Sequence, residues 1–124
     1  MTNNRRSFLK HNHKTIIFND FSNLEGEAFL EVIKDISEMA ESVSLSHRLV
    51  LVDATNAIVD KRVMKALKNM TARSSQKISR TAIFGISGIQ LFLMKTISRF
   101  AKIEMRPFET KDDALEWLTS QTAP

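Results

Sequence analysis

Cysteine is absent from the sequence, which removes disulfides, thiol nucleophiles and thiolate metal sites at once. Glycine occurs three times and proline twice, too few for the linkers of a multidomain chain or the tight turns of an all-β fold. Tyrosine is missing and tryptophan appears once, which leaves little for stacking on bases. No run approaches the roughly 20 apolar residues that span a bilayer. The opening segment MTNNRRSFLKHNHK is polar and basic, without the apolar core of a secretory signal, so a cytoplasmic location is expected. What is present is ordinary for one globular domain: 124 residues, 43% hydrophobic and 26% charged.

Charge is unevenly placed. Residues 15–60 hold nine acids against Lys34 and Arg48, whereas residues 61–106 hold eleven Lys/Arg against the single acid Glu104. Such asymmetry points toward an anionic partner. Residues 1–13 show no apolar period and are expected to form a flexible basic tail, with the domain itself spanning 14–121.

From there, strand and helix signals alternate. Thr15–Phe18 reads as a strand, and Ser22 with Glu25 has capping-box spacing ahead of a helix. That helix presents Phe29, Val32, Ile33, Ile36, Met39, Ala40 and Val43 on one face. Leu49–Val52 is an aliphatic run without alternation, which suits a strand covered on both faces of a parallel sheet. A second helix turns Val59, Val63, Ala66, Leu67 and Met70 inward. Thr81–Phe84 makes a third strand, and Ser87 with Gln90 repeats the capping-box spacing. The third helix is expected to bury Ile89, Phe92, Leu93, Ile97 and Phe100. A short strand over Ile103–Arg106 meets Pro107, which fits an edge or a strand end. Thr110 and Asp113 cap a last helix bearing Ala114, Leu115, Trp117 and Leu118. The pattern predicts an α/β single-domain sandwich, βαβαβαβα, with four helices on a four-stranded, mostly parallel sheet.

These residues bring a resemblance with them. Leu49-Val50-Leu51-Val52-Asp53 before a basic helix, Thr81-Ala82-Ile83-Phe84-Gly85, and Arg106-Pro107-Phe108 ahead of Asp113-Ala114-Leu115-Glu116-Trp117-Leu118 are together similar to the SpoIIAA-like group of the STAS/Sec14-type superfamily. The resemblance covers about residues 14–120. It implies a regulatory or ligand-binding module rather than an enzyme. STAS-class antagonists switch by phosphorylation of a Ser after an Asp at a helix N-terminus. The nearest counterpart of that Asp is Asp60, and Lys61 stands where the acceptor is expected. The Sec14 side implies a lipid or other apolar ligand, in a pocket larger than a chain of this length builds.

Candidate chemistry is sparse. The histidines are His11, His13 and His47; neighbours in a strand point to opposite faces, so Ser46 and His47 make no dyad, and no third group orients a base. His11 and His13 alone do not make a metal site. Neither a cofactor nor a metal is expected. The segment Gly85-Ile86-Ser87-Gly88 offers a tight turn and free N–H groups at a helix start, which suits a small anionic ligand. If the strands are parallel, Asp53, Thr55 and Asn56 share that edge. The expected ligand site is therefore Asp53, Thr55, Asn56, Gly85, Ser87 and Gly88, meeting a partner protein or small anion. The alternative is peripheral association with anionic membrane or lipid through Lys61, Lys65, Lys68, Lys95 and Arg99. Leu91 and Met94, off the inward stripe of the third helix, are expected to mark a partner surface that a second copy of the chain would cover. Nucleic acid is disfavoured, for want of aromatics among the basic residues.

Overall fold

A computed structural model describes residues 5–40, 48–74, 78–86 and 88–120. Five strands form one sheet in chain order. The first two, β1 (Arg6–His11) and β2 (Lys14–Asp20), pair antiparallel as a hairpin closed by His11 opposite Lys14. Asn12 and His13 make the turn, both with positive φ (50° and 68°), the geometry of a type I′ connection. The expected tail is thus corrected: residues 6–11 are a strand, and the sheet has five strands rather than four. The physical reason lies in the edge position. Phe8 remains 55% exposed while Leu9 packs on the core, so the alternation is weak, and His13 occupies the turn position where glycine would have signalled a hairpin. The turn is also tied to the far end of the chain, where Asn12 Nδ2 donates to Thr119 Oγ1 at 2.9 Å and His11 Nε2 lies 2.7 Å from Glu116 Oε2.

The remaining strands, β3 (Arg48–Asp53), β4 (Ile78–Phe84) and β5 (Met105–Phe108), continue from β2 in parallel. Each parallel step goes to the next neighbour in the same direction. Right-handed crossovers then place the three connecting helices on one face. These are α1 (Gly26–Ala40), α2 (Lys61–Ser74) and α3 (Ile89–Ala101), while α4 (Lys111–Thr119) follows the last strand. The packing agrees. Ile17, Val50, Val52 and Ile83 meet Phe29, Ile33, Ile36, Val63, Leu67, Met94 and Ile97 in one cluster. Ile16, Leu51 and Ala82, which point the other way, meet Ala114, Leu115 and Leu118 of α4. Successive residues of the run 49–52 therefore serve opposite layers, and both layers are covered by helices. That is why it is aliphatic throughout.

Local boundaries differ from expectation in four places. Ser22 does not cap α1: its N and Oγ both bond Asp20 Oδ1, at 2.9 and 2.6 Å, and the helix begins at Gly26. The last strand starts later than expected and includes Pro107, which sits on the edge strand β5 where its missing N–H costs no ladder bond. The α3 N-cap is Gly88 rather than Ser87, which lies outside the described residues, as do Val43, Ser46 and His47. Finally, α3 is rotated relative to expectation: Met94, Ile97 and Ala101 are buried, while Ile89, Phe92 and Phe100 face outward. The helix carries apolar residues over a wider arc than the core requires, so its composition alone did not say which part turns in. At the chain's end, Thr110 Oγ1 accepts from Asp113 N at 3.1 Å, as the capping pattern predicts.

Candidate functional site

Two regions gather the candidate residues. The first is the carboxyl edge of the parallel strands. Asp20 and Asp53 end β2 and β3 as register partners, and each begins the same turn. Thr55 N and Oγ1 donate to Asp53 Oδ1 at 2.9 and 2.6 Å, repeating the bonds from Ser22 to Asp20. Asn23 and Asn56 follow with φ of 60° and 58°, and Asn56 Nδ2 donates to Asn23 Oδ1 at 3.2 Å. The backbones are stitched across: Phe21 N to Asp53 O, Asn23 N to Thr55 O, and Ala54 N to Phe84 O. The repeated pattern Asp-x-Ser/Thr-Asn at 20–23 and 53–56 is the signal that sequence reading passed over. Asn and Asp are the residues that close such turns with their own side chains and tolerate a left-handed backbone.

Gly85 joins this junction from β4. Its φ is +85°, and a Cβ there would overlap Thr55 Oγ1 and stand 2.9 Å from Thr55 N. Gly88, by contrast, has φ +57° with open space around it and no side-chain cap on the helix it starts. The Gln90 amide donates to Ala57 O, tying the start of α3 to the loop before α2. Asp60 Oδ1 accepts from Val63 N at 2.9 Å, so Asp60 caps α2 and Lys61 is its first residue. The structure thus brings Asp53, Thr55, Asn56 and Gly85 together, but the Asp53, Thr55 and Asn56 side chains bond one another or the matching turn. The two carboxylates at this edge, with Arg5 3.7 Å from Asp20, give it little attraction for a small anion.

The second region is the outer face of α2 and α3, which neighbour each other on the same side of the sheet. Neither helix contains an acidic residue. Lys61, Lys65, Lys95 and Arg99 are exposed, and Lys68 lies with its Nζ 5.0 Å from the Phe100 ring centroid. Lys61, Lys65 and Lys68 line a groove of about 430 Å³ that also takes in Asp60, Met64 and Leu93. Beside it stand three large apolar side chains of α3: Ile89 is 70% exposed, Phe92 64% and Phe100 52%. The expected partner surface is corrected in part, since Met94 is buried against the sheet and only Leu91 of that pair retains some exposure. Sequence reasoning placed the basic residues here but assigned Ile89, Phe92 and Phe100 to the core, so its ground for disfavouring nucleic acid, a want of aromatics among the basic residues, does not hold: Phe92 and Phe100 are exposed beside Lys68, Lys95 and Arg99. The boundary with the acidic helix α1 is marked by Arg62 and Glu27, 2.7 Å apart; hydrogen bonding and charge from Glu27 raise the Arg62 pKa. Among the described residues no helix is long and apolar enough to cross a membrane, and no cluster of His, Asp and Glu could hold a metal ion.

The chain belongs to the SpoIIAA-like family, whose pattern it matches over residues 6–119. No curated protein matches it. Its backbone is similar to the crystal structure of an uncharacterized protein with a SpoIIAA-like fold from Shewanella loihica PV-4. The TM-score is 0.69 at 18% identity, covering 95% of this chain and 98% of that one. It is also similar to an anti-sigma-factor antagonist (STAS) domain protein from Planctomyces limnophilus, with a TM-score of 0.65 at 13% identity over 93% and 98% of the two chains. At these identities the likeness is one of fold.

Proposed function

We propose that this chain is a non-catalytic binding module that docks peripherally on anionic lipid through the α2–α3 face. One observation carries the reading: Ile89, Phe92 and Phe100 protrude from a face on which α2 and α3 supply only basic charges, Asp60 at the start of α2 being the acid at its rim. Large exposed apolar groups are unfavourable in water, and a bilayer surface relieves them by taking the rings into the boundary between headgroups and acyl chains. Lys61, Lys65, Lys68, Lys95 and Arg99 then meet lipid phosphates, each contributing about 1 kcal/mol near an anionic surface. The junction at the strand ends serves as the scaffold that fixes α2 and α3 against each other. The likeness to a STAS domain protein named for antagonism of another protein supports binding rather than a reaction.

The test is co-sedimentation with vesicles of phosphatidylcholine, with and without phosphatidylglycerol. Binding is expected only to the anionic vesicles. It should fall steeply as ionic strength rises from about 0.01 to 1 M, where the Debye length shrinks from about 30 to 3 Å. Arg99→Glu, a change of two charge units, should weaken it about 30-fold. Equal binding to neutral vesicles, or none at low salt, would overturn the reading. So would self-association lost on Phe92→Ser, which would assign the face to a second copy of the chain.

A further inference from the structure

The groove between α2 and α3 has a composition that narrows what the lipid-docking face recognises. Lys61, Lys65 and Lys68 stand along it at intervals of four and three residues, which puts them in one row on the surface of α2. Leu93 and Phe100 of α3 line the same groove, so cations and apolar side chains share one depression of about 430 Å³. The row spans about 10 Å of helix axis, and each ammonium rides on a flexible four-carbon stem. All three can therefore close on a single group held between them.

Charge decides what that group is. Asp60 is the acid in the lining, and its Oδ1 is already engaged as the α2 cap, accepting from Val63 N at 2.9 Å. Three lysines against one carboxylate leave the groove a formal charge of +2. Among the described residues none of the three lysines is held in an ion pair, and Lys68 instead rests on the Phe100 ring. A phosphomonoester matches this arrangement. It carries close to two negative charges at neutral pH and offers three terminal oxygens, one for each ammonium. A phosphodiester carries one charge and two such oxygens, and its second alcohol covers the side that would enter the groove.

We propose that the α2–α3 groove seats the phosphomonoester headgroup of a phosphatidate-type lipid in preference to a phosphodiester headgroup. The proposal rests on the lipid-docking reading and names the lipid class. Lys61, Lys65 and Lys68 donate to the terminal phosphate oxygens, while Leu93 and Phe100 lie against the glycerol end of the acyl chains. The phosphate belongs to a lipid rather than a soluble ester because Phe100 and Phe92, both more than half exposed, stand at the groove and need apolar cover. The charged groups on this face are Asp60, Lys61, Lys65, Lys68, Lys95 and Arg99, with no histidine in α2, α3 or the groove. A phosphomonoester loses its second proton near about pH 6, so the preference strengthens as pH rises through the ligand's own ionisation.

The experiment uses the full chain and phosphatidylcholine vesicles carrying either phosphatidate or phosphatidylglycerol, matched in zeta potential at each pH. Surface charge alone then predicts equal binding. Co-sedimentation should show the phosphatidate vesicles bound about tenfold more tightly, with the ratio growing from about pH 5 to about pH 8. Lys65 and Lys95 are both exposed, so neither is needed for the fold. Lys65→Gln, in the middle of the row, should remove the preference. Lys95→Gln lies outside the groove and should weaken binding to both vesicles alike, by about fivefold. Equal binding to the matched vesicles, a preference that survives Lys65→Gln, or displacement by glycerol phosphate at the same phosphate concentration would each overturn the proposal while leaving lipid docking intact. Failure to bind either anionic vesicle would overturn the docking reading and the proposal with it.

Discussion

Replacing Gly85 by alanine should destabilise the fold more than the same change at Gly88. Both residues have positive φ, +85° and +57°, and Gly88 combines it with ψ −126°, outside the left-handed helical region, so both substitutions carry a backbone penalty of about 1–3 kcal/mol. Only Gly85 has a neighbour in the way. A new methyl there meets Thr55 Oγ1, Thr55 N at 2.9 Å and Thr55 Cα at 3.0 Å, whereas at Gly88 nothing lies within 4 Å. Two of the three atoms are backbone, held by the Thr55 N bond to Asp53 Oδ1 and the Thr55 O bond from Asn23 N, so the clash relaxes only by moving the junction. Overpacking of this kind costs about 1–3 kcal/mol, which puts Gly85→Ala at about 2–6 kcal/mol in all. With a urea m-value of about 2 kcal/mol/M, the midpoint should fall by about 1–3 M, against about 0.5–1.5 M for Gly88→Ala. The assay is equilibrium urea unfolding followed by far-UV circular dichroism at 25 °C. Adding Thr55→Ala to Gly85→Ala should recover only part of the loss, since it removes one of the three contacts. Equal midpoints for the two glycine variants would refute the reasoning, and with it the reading of this edge as a close-packed junction.

The capping bond at the start of α4 gives a second expectation: Thr110→Ala should lower stability by about 1 kcal/mol in the same assay, and Thr110→Ser should restore most of it. A third concerns Trp117, whose ring lies beneath the guanidinium groups of Arg80 and Arg106 at 4.7 and 5.3 Å. Arg80 also donates to Trp117 O at 2.6 Å, so Arg80→Ala should cost about 1–2 kcal/mol and change Trp117 fluorescence, with a smaller effect from Arg106→Ala.

The central layers were legible in the sequence because their signals are physically unambiguous. Leu49–Val52 reads as a strand covered on both faces and is one, and Thr110 caps α4 through Asp113 N, although the same spacing at Ser22 and Glu25 does not cap α1. The hairpin was not legible, because an edge strand half in water loses the alternation that identifies a strand, and its turn uses His13 where glycine is usual. Helix α3 shows a different limit. Its residues offer two apolar arcs, Met94–Ile97–Ala101 and Ile89–Phe92–Phe100, and only the position of its neighbours decides which one the core takes. That choice leaves the second arc on the surface, where it changes the character of the basic face. An apolar cavity of about 120 Å³ under α1, α2 and α3 was beyond sequence reading altogether, since its polar lining residues Arg6, Asn19 and Thr81 come from three separate strands, β1, β2 and β4.

The lipid-docking account is tested most directly by giving each face its own fluorophore. Trp117, the single tryptophan, packs with α4 on the opposite side of the sheet from α2 and α3. Its emission in the wild-type chain reports that side, and Phe92→Trp in a Trp117→Phe background reports the other. On titration with phosphatidylglycerol-containing vesicles at low ionic strength, the tryptophan at position 92 should shift to the blue, reversibly with salt, while Trp117 stays unchanged. An unmoved spectrum at position 92, or an equal shift at Trp117, would contradict docking through the α2–α3 face.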